Sequence, residues 1–151
     1  MHIGIDFGTT NSSVAHYDGS KLYPIELDPS NENPNVLPSL IYIDRQYATK
    51  LGTAAAQEYL AKETGRRIMW ERRDLGAIEI IVAGSGGPIQ YWHEVNIETD
   101  VGAHGRLLQS VKTALRDPRY EGTRLFDLYY TVDELIALLG VDAETGVFML
   151  L

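Results

Sequence analysis

Cysteine is absent from the 151 residues of this chain. The absence excludes a disulfide framework, a thiolate nucleophile and a zinc site with cysteine ligands. It is compatible with the reducing cytoplasm, where we expect the protein to act. The sequence also has no apolar run near about 18 residues and no basic region at its amino terminus, so we expect neither a membrane span nor a signal peptide.

Basic side chains are scarce, since 13 Lys and Arg stand against 21 Asp and Glu for a formal net charge of -8. An acidic chain is repelled by the phosphate backbone, so we expect no nucleic-acid partner. The 4 histidines show no metal-ligand spacing, which argues against a histidine-based metal site. The rest is ordinary, because 44% hydrophobic and 23% charged residues are typical of a globular domain with a buried core.

The amino-terminal segment predicts a β-hairpin. Apolar and polar residues alternate over 2–6, a glycine-containing turn occupies 7–11, and a second strand returns over 12–17. A third strand is predicted over 21–25, beyond an Asp-Gly turn. These strands would begin the sheet of the domain.

Three other segments are predicted to be helical. Thr53 is predicted as the N-cap of a helix over 53–63. Apolar residues at i, i+1, i+4 and i+8 spacing predict a second helix over 106–116. A capping box that begins at Thr131 predicts a third helix over 132–139.

The segment 66–104 differs in character from its flanks. Two β-rich runs, 77–83 and 89–98, are separated by a glycine-rich turn with a proline, which predicts a hairpin. With the helices and the first strands, the expected fold class is therefore α/β. We expect a mixed sheet with flanking helices and a β-rich insertion over 66–104.

One short turn carries the residues of chemical interest. Gly8 would allow a ligand to approach the backbone closely, and consecutive N–H groups in such a turn suit an anion. Thr9 and Thr10 add hydroxyl groups, and the carboxylate of Asp6 suits a hydrated Mg²⁺ ion. A phosphate site with a carboxylate for magnesium is the minimum needed to bind a nucleoside triphosphate. The alternative is a simple hairpin turn in which Asp6 only caps the backbone.

The run Ile-Gly-Ile-Asp-Phe-Gly-Thr-Thr-Asn-Ser-Ser-Val-Ala at 3–15 resembles the first phosphate motif of the actin-like ATPase superfamily. Its Thr-Thr-Asn-Ser order is similar to that of the heat-shock protein 70 (DnaK-like) chaperones. Blocks at 35–41, 51–55 and 131–136 resemble later segments of the same family, in the same order. The segment 66–104 matches nothing in the family pattern.

The resemblance implies a partial lobe I of the actin-like, ribonuclease H-like fold over 1–139, followed by a divergent apolar tail over 140–151. It also implies ATP or ADP and Mg²⁺ as cofactors. Asp6 would hold the magnesium ion through water, and Lys112 would be the catalytic lysine that orients the attacking water. The residues that would wrap the β- and γ-phosphates are Gly8, Thr9, Thr10 and Asn11.

The second phosphate loop of that family is not found in this sequence, and neither is its adenosine-binding motif. We therefore expect a fragment that binds ATP weakly or not at all and that does not hydrolyse it alone. In the intact parent, the resemblance implies an ATP-hydrolysing chaperone with unfolded polypeptide clients and co-chaperones. Self-association through the exposed lobe surface is a further expectation.

Two alternatives remain open at the level of sequence. The first is a fragment of a sugar or metabolite kinase from the same superfamily, which shares the phosphate motif. The second is a non-catalytic interaction module in which the hairpin of 66–104 binds a partner protein.

Overall fold

The computed structural model describes residues 2–84, 86–116 and 121–140. They divide into two compact units: unit 2 is Gly65–Ala103, and unit 1 combines the residues before it with those from His104 onward. Two α-helices and one short 3₁₀ helix occur in the described residues, and strands prevail. The helices are α1 (Gly52–Glu63), α2 (Val132–Leu138) and the 3₁₀ helix Val111–Arg116. The strands are β1 (His2–Phe7), β2 (Asn11–Tyr17), β3 (Leu22–Pro24), β4 (Val36–Pro38), β5 (Leu40–Asp44), β6 (Thr49–Leu51), β7 (Trp70–Gly84), β8 (Gly87–Asp100), β9 (Gly105–Gln109), β10 (Gly122–Leu125) and β11 (Leu128–Thr131).

The first sheet of unit 1 has β2 at its centre. Strands β1, β3 and β4 all pair with β2 in antiparallel fashion. The register places Asp6 opposite Ser13 and Phe7 opposite Ser12, so the β1–β2 turn consists of residues 8–10. The predicted hairpin and the predicted third strand are therefore confirmed.

The second sheet of unit 1 has the order β6-β5-β9, again antiparallel. Ile41 and Ile43 on β5 are completely buried, and they belong to the same hydrophobic cluster as Val14 of β2. Leu135 and Ile136 of α2 complete the centre of that cluster. The core of unit 1 thus joins both sheets to α2.

Unit 2 is a long antiparallel hairpin formed by β7 and β8. The register shifts between Asp74 and Ala77, where β7 carries a bulge. Gly87, with φ of 110°, lies at the turn in a conformation that favours glycine. The hairpin predicted within 66–104 is present, and its strands are longer than the predicted runs.

The predicted α/β fold is wrong. Every strand pairing among the described residues is antiparallel, in small sheets with few helices, so the chain is not a partial actin-like lobe I with a mixed sheet and flanking helices. The largest single error is the helix expected over 106–116. Leu108 pairs with Ile41 as part of β9, and Ser110, with φ of 57°, separates β9 from a 3₁₀ helix. Cross-strand pairing to a buried strand outweighs the local helical spacing.

The other two predicted helices are confirmed by α1 and α2. The capping box at the start of α2 is present in full, between Thr131 and Glu134. The predicted N-cap of α1 is wrong, because Leu51 occupies that position and its side chain makes no capping bond. Beyond Gly140, the apolar tail predicted over 140–151 lies outside the described residues. Within the described part of the chain, no helix has the length and apolar character needed to cross a membrane.

Candidate functional site: the β1–β2 turn and Lys112

Ser39 holds the β1–β2 turn through two hydrogen bonds. Its hydroxyl donates to the carbonyl oxygen of Gly8 at 3.1 Å, and its N–H donates to that of Thr10 at 2.8 Å. Ser39 is buried, so both bonds lie away from bulk solvent. The two carbonyl groups are therefore directed toward Ser39, and the turn is held at both ends.

The backbone N–H groups of the turn donate no hydrogen bond to other described residues. No hydrogen bond from the backbone nitrogen of Gly8, Thr9 or Thr10 to another described residue is present. Three consecutive donors without an acceptor are a site to which an anion can bind. Hydroxyl groups of Thr9 and Thr10 lie on the same short segment, and Thr10 is exposed.

Gly8 cannot be replaced without rearranging this turn. A Cβ atom on Gly8 would lie 2.0 Å from the carbonyl oxygen of Asn11. The constraint arises from the close approach of the chain to itself, since Gly8 is not among the residues with positive φ. The glycine in the sequence motif therefore has a specific steric reason.

Lys112 reaches this turn from a segment 105 residues away. Its ammonium group donates to the carbonyl oxygen of Phe7, the last residue of β1, and lies 5.1 Å from the centre of the Phe7 ring. Val111 beside it is buried, which anchors the 3₁₀ helix to the core. Lys112 itself is half-buried, and an ammonium group has three N–H donors, so two remain for other acceptors.

The side chain of Asp6 lies on the face of β1 opposite to that of Phe7. Neighbouring residues of a strand point to opposite faces, so Asp6 and Phe7 are directed apart. Asp6 is exposed, and among the described residues no hydrogen bond or ion pair involves its carboxylate. The structure therefore brings Lys112 to the turn but forms no contact between Lys112 and Asp6.

The remaining predicted residues lie at the surface of the turn. Asn11 begins β2 opposite Pro38 and is exposed. Its side chain and those of Thr9 and Thr10 make no hydrogen bond within the described part of the chain. They remain available to a ligand.

No group of three metal-ligating side chains occurs in the described ranges. Asp6 is then a single carboxylate, which fits an ion that keeps most of its water. Mg²⁺ behaves in this way, because it dehydrates reluctantly and is bound through one or two carboxylates together with phosphate oxygens. The residues present therefore fit magnesium that arrives with a phosphate ligand and do not form a cage for a bare ion.

Ser39 is the residue that sequence reasoning missed at this site. It belongs to the block 35–41 that resembles the family, and the sequence pattern predicts no role for it. A serine directly before a buried apolar strand was the available signal. The turn that it holds is 31 residues away, so its partners were not readable from local pattern.

A buried carboxylate elsewhere in unit 1 has a structural role. Glu63 accepts hydrogen bonds from the backbone nitrogens of His104, at 2.9 Å, and Gly105, at 2.8 Å, and from the hydroxyl of Tyr42, at 3.1 Å. Burial, followed by the hydrogen bond to Glu63, raises the pKa of Tyr42. Glu63 thus ties the end of α1 to β9 and β5.

A cavity in the described part of unit 1 is distinct from the turn. It has a volume of about 320 Å³ and is open to solvent. None of the predicted site residues lines it. Its lining residues are Leu108, Gln109, Ser110, Val111, Thr113, Ala114, Thr123 and Leu135.

No protein-family model and no curated protein matches this chain.

Proposed function

We propose that the β1–β2 turn and Lys112 bind the phosphate groups of a magnesium-bound nucleotide, ATP or ADP. The observation that carries the proposal is the ammonium group of Lys112 on the carbonyl oxygen of Phe7, next to the turn. Two segments far apart in sequence meet there: the turn resembles the first phosphate motif of the heat-shock protein 70 family, and the same resemblance implies that Lys112 is the catalytic lysine that orients the attacking water. The fold is not that of the family's lobe, so the proposal concerns this local site.

The chemistry of the site supports a phosphate ligand. Phosphate oxygens accept hydrogen bonds from backbone N–H groups, hydroxyls and ammonium groups, and bonds to a charged group are about twice as strong as neutral ones. The free N–H groups of Gly8, Thr9 and Thr10 and the two remaining donors of Lys112 supply these partners. Bound magnesium would neutralise phosphate charge, and Asp6 would hold it through water.

We expect weak binding without turnover. The second phosphate loop and the adenosine-binding motif of the family are not in this sequence, so the described site contacts one side of the phosphates. As part of a chaperone ATPase of this kind, the chain would act in the cytoplasm, and the partners of the whole protein would be unfolded polypeptide clients and co-chaperones. These partners are expectations from the resemblance.

Calorimetric titration with Mg-ATP, Mg-ADP and AMP tests the proposal. We expect heat of binding for the two magnesium-bound nucleotides, little for AMP, and no steady release of phosphate. Lys112→Ala should weaken binding by about tenfold, because a charge-assisted contact is worth about 1.5–3 kcal/mol. Lys21→Ala is the matched control, since Lys21 is an exposed lysine of unit 1. Equal affinity of the Lys112→Ala protein, or no binding by the original chain, would contradict the proposal.

A further inference from the structure

One face of the β7–β8 hairpin carries exposed apolar side chains. Residues paired across an antiparallel hairpin share a face, and the pairs Ile80 with Tyr91 and Val82 with Ile89 lie on the same one. Ile89 is 62% exposed, and Tyr91 is 46% exposed. We define the apolar face as Ile78, Ile80, Val82, Ile89, Tyr91, Val95 and Ile97; His93, opposite Ile78, and Arg73, opposite Ile97, share it at its polar end.

The opposite face of the hairpin carries acidic side chains. Asp74 pairs with Asn96, Ala77 with Glu94, and Glu79 with Trp92, so their carboxylates share the face that alternates with the apolar one. Glu98 follows two residues beyond Asn96 on the same face. No Lys or Arg occurs in the sequence from 74 to 100. Asp74, Glu79, Glu94 and Glu98 form this carboxylate face; Arg72, opposite Glu98, is the one basic side chain that the register places on it, so its net charge is negative.

Of the two strands of this hairpin, β8 has the edge that is better suited to pairing with an added strand. Strands β7 and β8 pair with each other, and no third strand joins either of them in the described residues. The bulge lies on β7, between Asp74 and Ala77, so that edge is interrupted. β8 has alternating side chains along its length, and unpaired N–H and C=O groups along such an edge accept another strand.

We propose that the outer edge of β8 binds an extended polypeptide segment whose side chains alternate between apolar residues and Lys or Arg. A strand added to this edge places alternate side chains on the two faces. Its apolar residues would extend the apolar face beside Ile89 and Tyr91, and its basic residues would lie beside Glu94 and Glu98. The charge of the hairpin and the period of its faces together select this partner, independently of the phosphate site.

A second copy of the chain fits this edge less well. Two hairpins joined antiparallel through β8 would place the carboxylates Glu94 and Glu98 of both copies on one face of the sheet. Like charges on neighbouring strands are destabilising, whereas opposite charges are stabilising. Charge complementarity therefore favours a basic partner over self-association.

Tryptophan fluorescence can report binding at this site. Its 2 tryptophans, Trp70 and Trp92, both lie on the hairpin and are 63% and 69% exposed. Trp92 is on β8 itself, so a strand added there shields it from water and shifts its emission to shorter wavelengths. The probe ligand is a synthetic nine-residue peptide of alternating valine and lysine. Its comparison peptides are alternating valine and glutamate, and the same valines and lysines arranged in two blocks.

We expect the alternating valine–lysine peptide to bind the full chain and the two comparison peptides to bind at least about tenfold more weakly. The double variant Glu94→Lys with Glu98→Lys should reverse this preference in favour of the valine–glutamate peptide. Both substituted side chains are exposed, and gain of the second affinity shows that the variant still folds. Glu26→Lys with Glu32→Lys makes the same change of net charge at exposed positions of unit 1 and should leave the preference unchanged.

Backbone pairing is tested by methylating alternate amide nitrogens of the valine–lysine peptide in two sets. One set should abolish binding and the other should preserve it, because only alternate N–H groups face β8. The proposal would be overturned if the block peptide bound as tightly as the alternating valine–lysine peptide. It would also be overturned if the two methylated peptides bound equally well, or if the double variant kept the preference of the original chain. Concentration-dependent dimerisation that shifts tryptophan emission without peptide would overturn it in favour of a second copy. A shift with neutral lipid vesicles, and none with peptide, would overturn it in favour of a lipid surface.

Discussion

The carboxylate of Asp28 caps helix α1 from a distant loop, with Oδ2 lying 2.7 Å from the backbone nitrogen of Thr53. Asp28 is buried, and its other oxygen accepts from the N–H of Ser30 at 3.2 Å. A Cβ atom on Gly52 would lie 2.4 Å from the same Oδ2 atom, so the first residue of the helix must be small. The cap that the sequence placed at Thr53 is thus supplied 25 residues earlier.

Replacing Asp28 should destabilise unit 1. We expect Asp28→Ala to lower the free energy of unfolding by about 1–2 kcal/mol, because a helix loses its cap and the half-buried N–H of Thr53 loses its acceptor. Asp28→Asn should cost less, since the amide oxygen still accepts. Urea unfolding followed by far-ultraviolet circular dichroism measures both values. Glu32→Ala, an exposed change in the same loop, is the control, and it should stay within about 0.5 kcal/mol.

The capping box of α2 predicts a measurable coupling. The N–H of Thr131 donates to the Glu134 carboxylate at 2.8 Å, and the N–H of Glu134 donates to the Thr131 hydroxyl at 3.2 Å. Thr131→Ala and Glu134→Ala should each lower the free energy of unfolding by about 1 kcal/mol. Because the bonds are reciprocal, the double variant should lose at least about 0.5 kcal/mol less than the sum. Strict additivity of the two changes would contradict the capping box.

Gly8→Ala and Gly4→Ala form a matched pair within β1 and its turn. The new Cβ at Gly8 would lie 2.0 Å from the Asn11 oxygen, whereas at Gly4 the nearest atom is 4.0 Å away. We expect Gly8→Ala to destabilise unit 1 by about 1–3 kcal/mol and to remove nucleotide binding. Gly4→Ala should be neutral within about 0.5 kcal/mol and should bind nucleotide normally. Thermal unfolding and calorimetric titration give the two readouts.

The base of the hairpin in unit 2 should weaken in acid. The Arg66 guanidinium, together with the N–H groups of Met69 and Gly102, lowers the pKa of the Asp100 carboxyl to about 2. The unfolded chain, with an ordinary value of 3.8, takes up the proton first. The contribution of Asp100 is therefore fully present above about pH 4 and is lost as the pH falls through about 2.

Tryptophan fluorescence checks this window, because both tryptophans lie on the hairpin. The original chain should show a change in emission between about pH 4 and pH 2. Asp100→Asn removes the titrating group and should lack that change, while it is less stable at neutral pH. An identical acid transition in both proteins would show that another group is responsible.

Local pattern was sufficient where a segment's neighbours along the chain are also its structural partners. The β1–β2 hairpin, the β7–β8 hairpin and the capping box of Thr131 all join segments that follow one another directly along the chain. The turn itself was also readable, because Gly8 permits an approach that a side chain would block. The identity of the turn residues as a site remains a prediction, since it depends on a ligand.

Sequence patterns that act over short distances, namely glycine, Asp-Gly and Thr-x-x-Glu, were enough to predict the hairpin turns and the capping box of α2. Tertiary structure alone decided that Leu108 lies in a strand, because the buried partner Ile41 stabilises that pairing more than local helical spacing does. It also decided the partners of Asp28, Ser39 and Lys112, whose polar groups are satisfied 25 to 105 residues away. Polar groups in a folded chain need hydrogen-bond partners, but the identity of a distant partner is set only when the core brings the segments together.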